Sequence, residues 1–254
     1  MSLEIVRHHD AEDLAVSTAA RLTTTIVRAQ SEYGSASVVL TGGRIAGQLM
    51  FALADPVCAD SIDWTRLDLW WGDERYLASA DPERNDYLAD THLLSRVDIN
   101  PTRVHRVLGP DSSPSAEAAA QQYATEVSTA VKQRSRVGRP AFDVTLLSIG
   151  PDGHVASLFP EQPALSSDSY VLAIHSSPKP PPVRVTMGFM ALNSSSEAWL
   201  LASGAEKSAV IDMMLTQGAG PLQIPATGIM GQERTLLLID ESAASKLATD
   251  IGKR

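Results

Sequence analysis

The sequence predicts an α/β fold: a mostly parallel, Rossmann-like, doubly wound sheet with helices on both faces. Three observations lead there. Short apolar runs alternate with amphipathic, helix-length segments along the whole chain, which is the pattern of a parallel sheet joined by crossover helices. Several runs end in polar, glycine-bearing turns, as strands do where they feed a ligand crevice. No linker or internal repeat divides the 254 residues, so a single domain over 1–254 is expected.

The elements follow in order. Asp10 caps a helix whose apolar stripe is Leu14, Thr18, Leu22 and Ile26, spaced by four. Ser37-Val38-Val39-Leu40 is a short buried strand that ends in Thr41-Gly42-Gly43, with a helix from near Ile45. Leu67 to Trp71 is a second strand, ending in Gly72-Asp73-Glu74-Arg75. A polar loop, 78–83, leads to a helix through Tyr87, Leu88, Thr91 and Leu94. Val104 to Leu108 reads as a weaker strand. Pro114 suits the first turn of a helix running to about Arg134, because an N–H there has no intrahelical partner and its absence costs nothing. Val144 to Ile149 is the clearest buried strand. Further strands are expected at Tyr170 to His175, Ala198 to Ala202 and Leu236 to Ile239, and helices at Ala205 to Leu215 and Ser242 to Thr249. Pro178 to Pro182 is a stiff, extended stretch too short to separate domains.

Composition narrows the function. The apolar runs fall far short of the roughly 20 residues needed to cross a bilayer, and the charged N-terminus lacks a signal core. With one cysteine, Cys58, no internal disulfide is possible, and a reducing, cytoplasmic setting is expected. A net charge of −9 argues against nucleic acid or an anionic membrane as partner. A small anion needs only a few local donors and remains open. The six histidines form no metal-binding spacing. His8, His9, His92, His105 and His175 read as surface or packing residues.

Three strand ends carry the chemistry. Glycines in Thr41-Gly42-Gly43 let the backbone approach an anion just before a helix N-terminus; an ordinary turn is the alternative. This is neither a P-loop nor a dinucleotide fingerprint. Asp73-Glu74-Arg75 is either a solvated loop start or a charged site at the sheet edge, with Arg75 able to fork onto a phosphate or carboxylate. Asn85 stands at a helix start, where a cap is its plain role. In Gly150-Pro151-Asp152-Gly153-His154, the imidazole titrates near neutrality and suits proton transfer from water, and Asp152 either orients the ring or only shapes the turn. Later, Arg184 opens a β-like run. Lys207 stands at the first turn of a helix, where a cation opposes the dipole unless an anion binds nearby.

Taken together, four blocks resemble the 6-phosphogluconolactonase family, related to the glucosamine-6-phosphate deaminases: Leu40-Thr41-Gly42-Gly43; Trp71-Gly72-Asp73-Glu74-Arg75 with Asn85; Phe142-Asp143 and Gly150 through Pro160; and Arg184-Val185-Thr186 leading to Asn193 and Gly204-Ala205-Glu206-Lys207. The resemblance implies hydrolysis of 6-phospho-D-glucono-1,5-lactone to 6-phosphogluconate in the oxidative pentose phosphate pathway, with no metal and no organic cofactor. It makes His154 the general base, and Arg75 and Lys207 substrate- and phosphate-binding cations. Thr41, Gly42 and Gly43 become the phosphate-side turn. Asp73, Asp152 and Arg184 line the site, and Glu74 and Gly153 fall within its blocks. The family often has a small residue after the glycine pair; here it is Arg44, a further candidate phosphate contact. A monomer or weak homo-oligomer is expected. Two alternatives stay in view. A deaminase on the same fold typically follows Asp-Gly-His with an Ala-Phe-Asn-Glu-type run, where this chain has Val155 to Pro160. A non-catalytic sugar-phosphate sensor would keep the pocket without the chemistry.

Overall fold

In the computed structural model, which describes residues 3–216 and 218–248, the chain begins with β1 (Leu3–His8), α1 (Ala11–Tyr33), β2 (Ala36–Leu40), α2 (Arg44–Leu53) and the short α3 (Pro56–Ala59). Next come β3 (Leu67–Trp71), β4 (Asp73–Arg75), α4 (Asn85–His92), α5 (Ala116–Ser135) and β5 (Phe142–Ser148). The last third holds β6 (Val171–Ile174), β7 (Arg184–Met187), α6 (Phe189–Leu192), β8 (Ser195–Ala202), α7 (Ser208–Thr216) and β9 (Arg234–Asp240). Six strands form one sheet in the order β1-β9-β8-β5-β2-β3. Every pairing within it is parallel. A second sheet, β4-β7-β6, is antiparallel.

The apolar runs are buried on both faces. In β9, Leu236 and Leu238 enter a core built with α1, α2 and α4, while Leu237 and Ile239 enter a second core with α5, α6 and α7. That double burial is why these strands read as continuous apolar runs rather than as alternation. α1 shows the helical counterpart. The Asp10 carboxylate accepts from Asp13 N–H, Leu14, Thr18, Leu22 and Ile26 are all buried, and Gly34 ends the helix at φ 81°, a left-handed conformation that glycine adopts at no steric cost.

Several expectations are corrected. Val104 to Leu108 is no strand: one bridge joins Val104 to Leu69. Beyond it, the His105 ring stacks on Trp70 at 3.7 Å and the Val107 carbonyl takes the Arg84 guanidinium, so side chains replace a second ladder. Pro114 lies outside α5, whose cap is Ser115, accepting from Ala118 N–H. Residues 242–246 form turns and no helix follows through 248, the turns held by Asp240 accepting from Ala243 N–H; Thr249 is outside the described residues. The stretch 205–215 divides into a 3-10 turn, Ala205–Lys207, and α7. β1 was not anticipated. It pairs with β9 at the sheet edge, with half-buried Leu3 and Ile5 leaning on one core and Val6 on the other. Among the described residues, no helix is long and apolar enough to cross a membrane.

The topology places the crevice. From β2 the chain passes to β3 on one side, whereas β5 returns to the other side of β2 and leads on to β8 and β9. The direction of winding therefore switches between β2 and β5, and ligands in such sheets bind beyond the carboxyl ends of the strands at that point. Gly72 couples the two sheets there. Its N–H donates to the Leu40 carbonyl of the large sheet, and its own carbonyl accepts from Met187 N–H of the small one.

Candidate active site

A cleft of about 220 Å³ opens at this switch point, lined among others by Thr41, Gly42, Gly43, Asp73, Arg75 and His154. The ends of β2 and β5 are pinned together. Ser148 N–H donates to Thr41 Oγ1 at 3.1 Å, and Ser148 Oγ donates to the Gly42 carbonyl at 2.9 Å. Gly43 precedes α2 at φ 97° and offers no side-chain cap. The first N–H groups of α2 therefore lack an internal partner at the cleft edge, a setting that favours an anion.

The small sheet supplies the opposite wall. Strand alternation sends Asp73 and Arg75 to one face and Glu74 to the other. Asp73 is buried and accepts from Ser157 Oγ at 2.6 Å and from Asn85 Nδ2 at 3.3 Å. Arg75 donates to the Glu83 carbonyl, while its buried Nε has no partner. Arg184 stands directly opposite Arg75 in the β4–β7 register. Facing like charges are unfavourable in a sheet, and the Asp73 carboxylate, 3.7 Å from Arg184 Nη1, offsets part of that conflict.

Glu74 lies outside this cleft. Its carboxylate accepts from Asn85 N–H at 2.7 Å and Asp86 N–H at 2.8 Å, satisfying the first donors of α4. It caps that helix instead of meeting a ligand.

The third wall is the turn after β5. His154 and Asp152 are bonded through Nδ1 and Oδ1. Burial pushes the Asp152 carboxyl up, but the His154 hydrogen bond and the charges of His154 and Lys179 outweigh it, and the group is held below the usual carboxylate range. An ionised carboxylate only accepts, so Nδ1 carries the proton and Nε2 keeps the lone pair of the neutral ring. The Phe159 ring packs 4.6 Å from the imidazole. Gly150 lies beneath it: a Cβ there would sit 1.9 Å from His154 Nδ1. Asp152, expected to line the site, stands behind the ring outside the lining, and Gly153 also stays outside it. It turns the chain at φ 84° and packs against Ile224 and Val210.

Lys207 lines the cleft, and its ammonium is held below its ordinary pKa by burial, with Glu206 opposing that shift. Arg44 does not line it; its largely exposed guanidinium pairs with Glu206 at 3.0 Å. Lys179 and Ser148, which sequence reasoning passed over, do line it, as does Asn85. The signal for Lys179 is a lone cation inside a proline run. Four cations thus face the cleft in a protein of net charge −9, a local field suited to an anionic ligand. The other five histidines lie elsewhere. Among the described residues, no group of three or more His, Cys, Asp or Glu side chains is arranged to hold a metal ion.

A family model described as glucosamine-6-phosphate isomerases/6-phosphogluconolactonase matches residues 9–238. A 6-phosphogluconolactonase of Streptomyces coelicolor is 49% identical over 96% of this chain and 94% of its own, and one of Mycobacterium tuberculosis is 39% identical over 97% and 99%. The solved 6-phosphogluconolactonase of Thermotoga maritima superposes with a TM-score of 0.78 at 28% identity, covering 94% of this chain and all of that one. A monomeric glucosamine-6-phosphate deaminase reaches the same TM-score at 22% identity, over 96% and 99% of the two chains, so the shared fold does not itself separate the two chemistries. The chain belongs to the glucosamine-6-phosphate isomerase/6-phosphogluconolactonase family.

Proposed function

We infer that this protein hydrolyses 6-phospho-D-glucono-1,5-lactone to 6-phosphogluconate, with His154 as general base. The observation that carries the reading is the Asp152–His154 pair with a free Nε2 in a cleft ringed by cations. The identity to named lactonases supports the substrate. The phosphate is held by Lys207 and Arg75, near the uncapped start of α2. His154 Nε2 takes a proton from water as the water oxygen bonds to C1, and the carbonyl electron pair moves onto its oxygen. Asp152 stabilises the imidazolium that forms. Collapse restores the carbonyl and breaks the bond from C1 to the ring oxygen, which takes the proton back from His154. The new carboxylic acid then ionises. No covalent nucleophile is required, and no Ser sits in a G-x-S-x-G elbow.

The test is lactone loss timed against spontaneous hydrolysis. The purified protein accelerates it and releases no ammonia from glucosamine 6-phosphate. Binding of 6-phosphogluconate without acceleration would make the protein a sensor, and ammonia release would make it a deaminase. Lys207→Ala addresses the phosphate. A hydrogen bond to a charged group contributes about 1.5–3 kcal/mol, so kcat/KM for the phosphorylated lactone falls at least about tenfold, and that for unphosphorylated gluconolactone falls far less. Equal losses on both substrates would remove Lys207 from the phosphate site.

A further inference from the structure

The segment joining β6 to β7 carries Lys179 to the cleft and is hydrogen-bonded onto itself. Ser177 N–H donates to the Pro182 carbonyl at 3.0 Å. Ser177 Oγ donates to the Lys179 carbonyl at 2.8 Å and accepts from Lys179 N–H at 3.2 Å. The buried Arg184 guanidinium then donates to three successive carbonyls, those of Lys179, Pro180 and Pro181, at 3.1–3.2 Å. Four prolines surround Lys179 in the stretch 178–182, and each fixes its own φ. Both backbone groups of Lys179 are therefore held, and Arg184 serves as the clasp of this strap rather than as a free ligand arm.

The clasped strap sets the Lys179 ammonium 3.2 Å from His154 Nδ1 and 3.6 Å from Asp152 Oδ1. Nδ1 already has its proton, so the partner of the ammonium is the Asp152 carboxylate. The charge lies on the Nδ1 side of the ring, whereas water is activated at Nε2.

We propose that Lys179 is a positioning residue for the lactone hydrolysis inferred above: its strap-held ammonium shares the Asp152 carboxylate with His154 and keeps the imidazole unprotonated and ready to act as base. The catalytic consequence rests on the hydrolase reading; the charge coupling does not. Asp152, from the ring's own turn, favours imidazolium. Lys179 from the strap and Lys207 from the turn before α7 oppose it, and both act on the same carboxylate. Across the cleft, Asp73 is offset by Arg75 and Arg184 on the small sheet, and the Arg44–Glu206 pair at the margin is internally neutral. Lys179 is the cation in direct contact with that carboxylate, so its removal leaves only the more distant charge of Lys207 to compete with His154 for Asp152.

The experiment titrates His154 by NMR in the resting protein, as wild type, Lys179→Met and Lys179→Arg, beside pH profiles of kcat/KM. Methionine keeps most of the side-chain volume and drops the charge. In Lys179→Met the His154 midpoint rises by about one pH unit, the scale of a single nearby charge in a half-solvated site. The acid limb of kcat/KM moves with it, so activity well below the wild-type midpoint falls about tenfold further, while KM at high pH stays within about twofold. Lys179→Arg restores the midpoint. A stationary midpoint overturns the proposal whatever the activity. So does a tenfold rise in KM without a pH shift, which would make Lys179 a substrate-binding cation. If the midpoint moves but the wild-type protein leaves the lactone untouched, the hydrolase reading fails and takes the catalytic role with it, while the coupling stands.

Discussion

His154→Ala lowers kcat/KM for the phosphorylated lactone by at least about 10²-fold near neutral pH, the lower end of the roughly 10²–10⁴-fold that general base catalysis supplies. The loss falls on kcat. Lys207 and Arg75 still line the cleft in the variant, and they bind the phosphate before and during the reaction alike, so KM changes little. The fold tolerates the change. The backbone bond from Gly150 N–H to the residue 154 carbonyl, 2.9 Å long, does not depend on the ring, and the imidazole borders an open cleft. Thermal unfolding of the variant close to wild type, together with the lost rate, isolates a chemical role. A rate within a few-fold of wild type would remove His154 as the base and leave cation-assisted hydrolysis by unactivated water. The slow spontaneous hydrolysis of the lactone has to be subtracted in every such measurement.

The legible and illegible parts of this molecule divide along physical lines. Strands buried on both faces, such as Val144 to Leu147 and Leu236 to Ile239, carry their position as apolar runs, and α1 carries its own in an apolar stripe and an Asp10 cap. The switch-point crevice was legible because glycine-bearing turns follow three of the apolar strands, at Gly42-Gly43, Gly72 and Gly150. The small sheet was not. Asp73, Glu74 and Arg75 are polar and pair with β7 only because Gly72 carries the chain from one sheet to the next. Read as a loop, the three residues look equivalent. Paired as a strand, they alternate, which separates Asp73 and Arg75 from Glu74. Arg44 was ambiguous for a different reason. Its backbone begins α2 at the cleft, but its side chain has room to turn outward to Glu206. Lys179 was illegible because the contacts that matter come from residues 25 to 27 positions away in sequence, and a proline run announces stiffness without direction.

Gly150→Ala carries the second large effect, and it removes no functional group. The added Cβ would lie 1.9 Å from His154 Nδ1, 2.0 Å from Cε1 and 2.5 Å from Asp152 Oδ1, distances no carbon tolerates, so the imidazole or its turn must move. Moving the turn is the costlier course. Gly150 N–H is tied to the His154 carbonyl and the Gly150 carbonyl to Gly153 N–H, both at 2.9 Å, and Gly153 packs against Ile224 and Val210. The ring has the open cleft before it, so the ring gives way. The Asp152 contact breaks, and Nε2 shifts relative to the lactone carbonyl. A misplacement of about 1 Å costs on the order of 10²-fold in rate, and Lys207 and Arg75, which hold the phosphate, are untouched. The expected result is therefore a kcat loss of about that size with KM within a few-fold, measured by the background-corrected lactone assay. If Gly150→Ala kept a third or more of the wild-type kcat, the Asp152–His154 geometry could not be what the rate depends on, even if His154 itself proved essential.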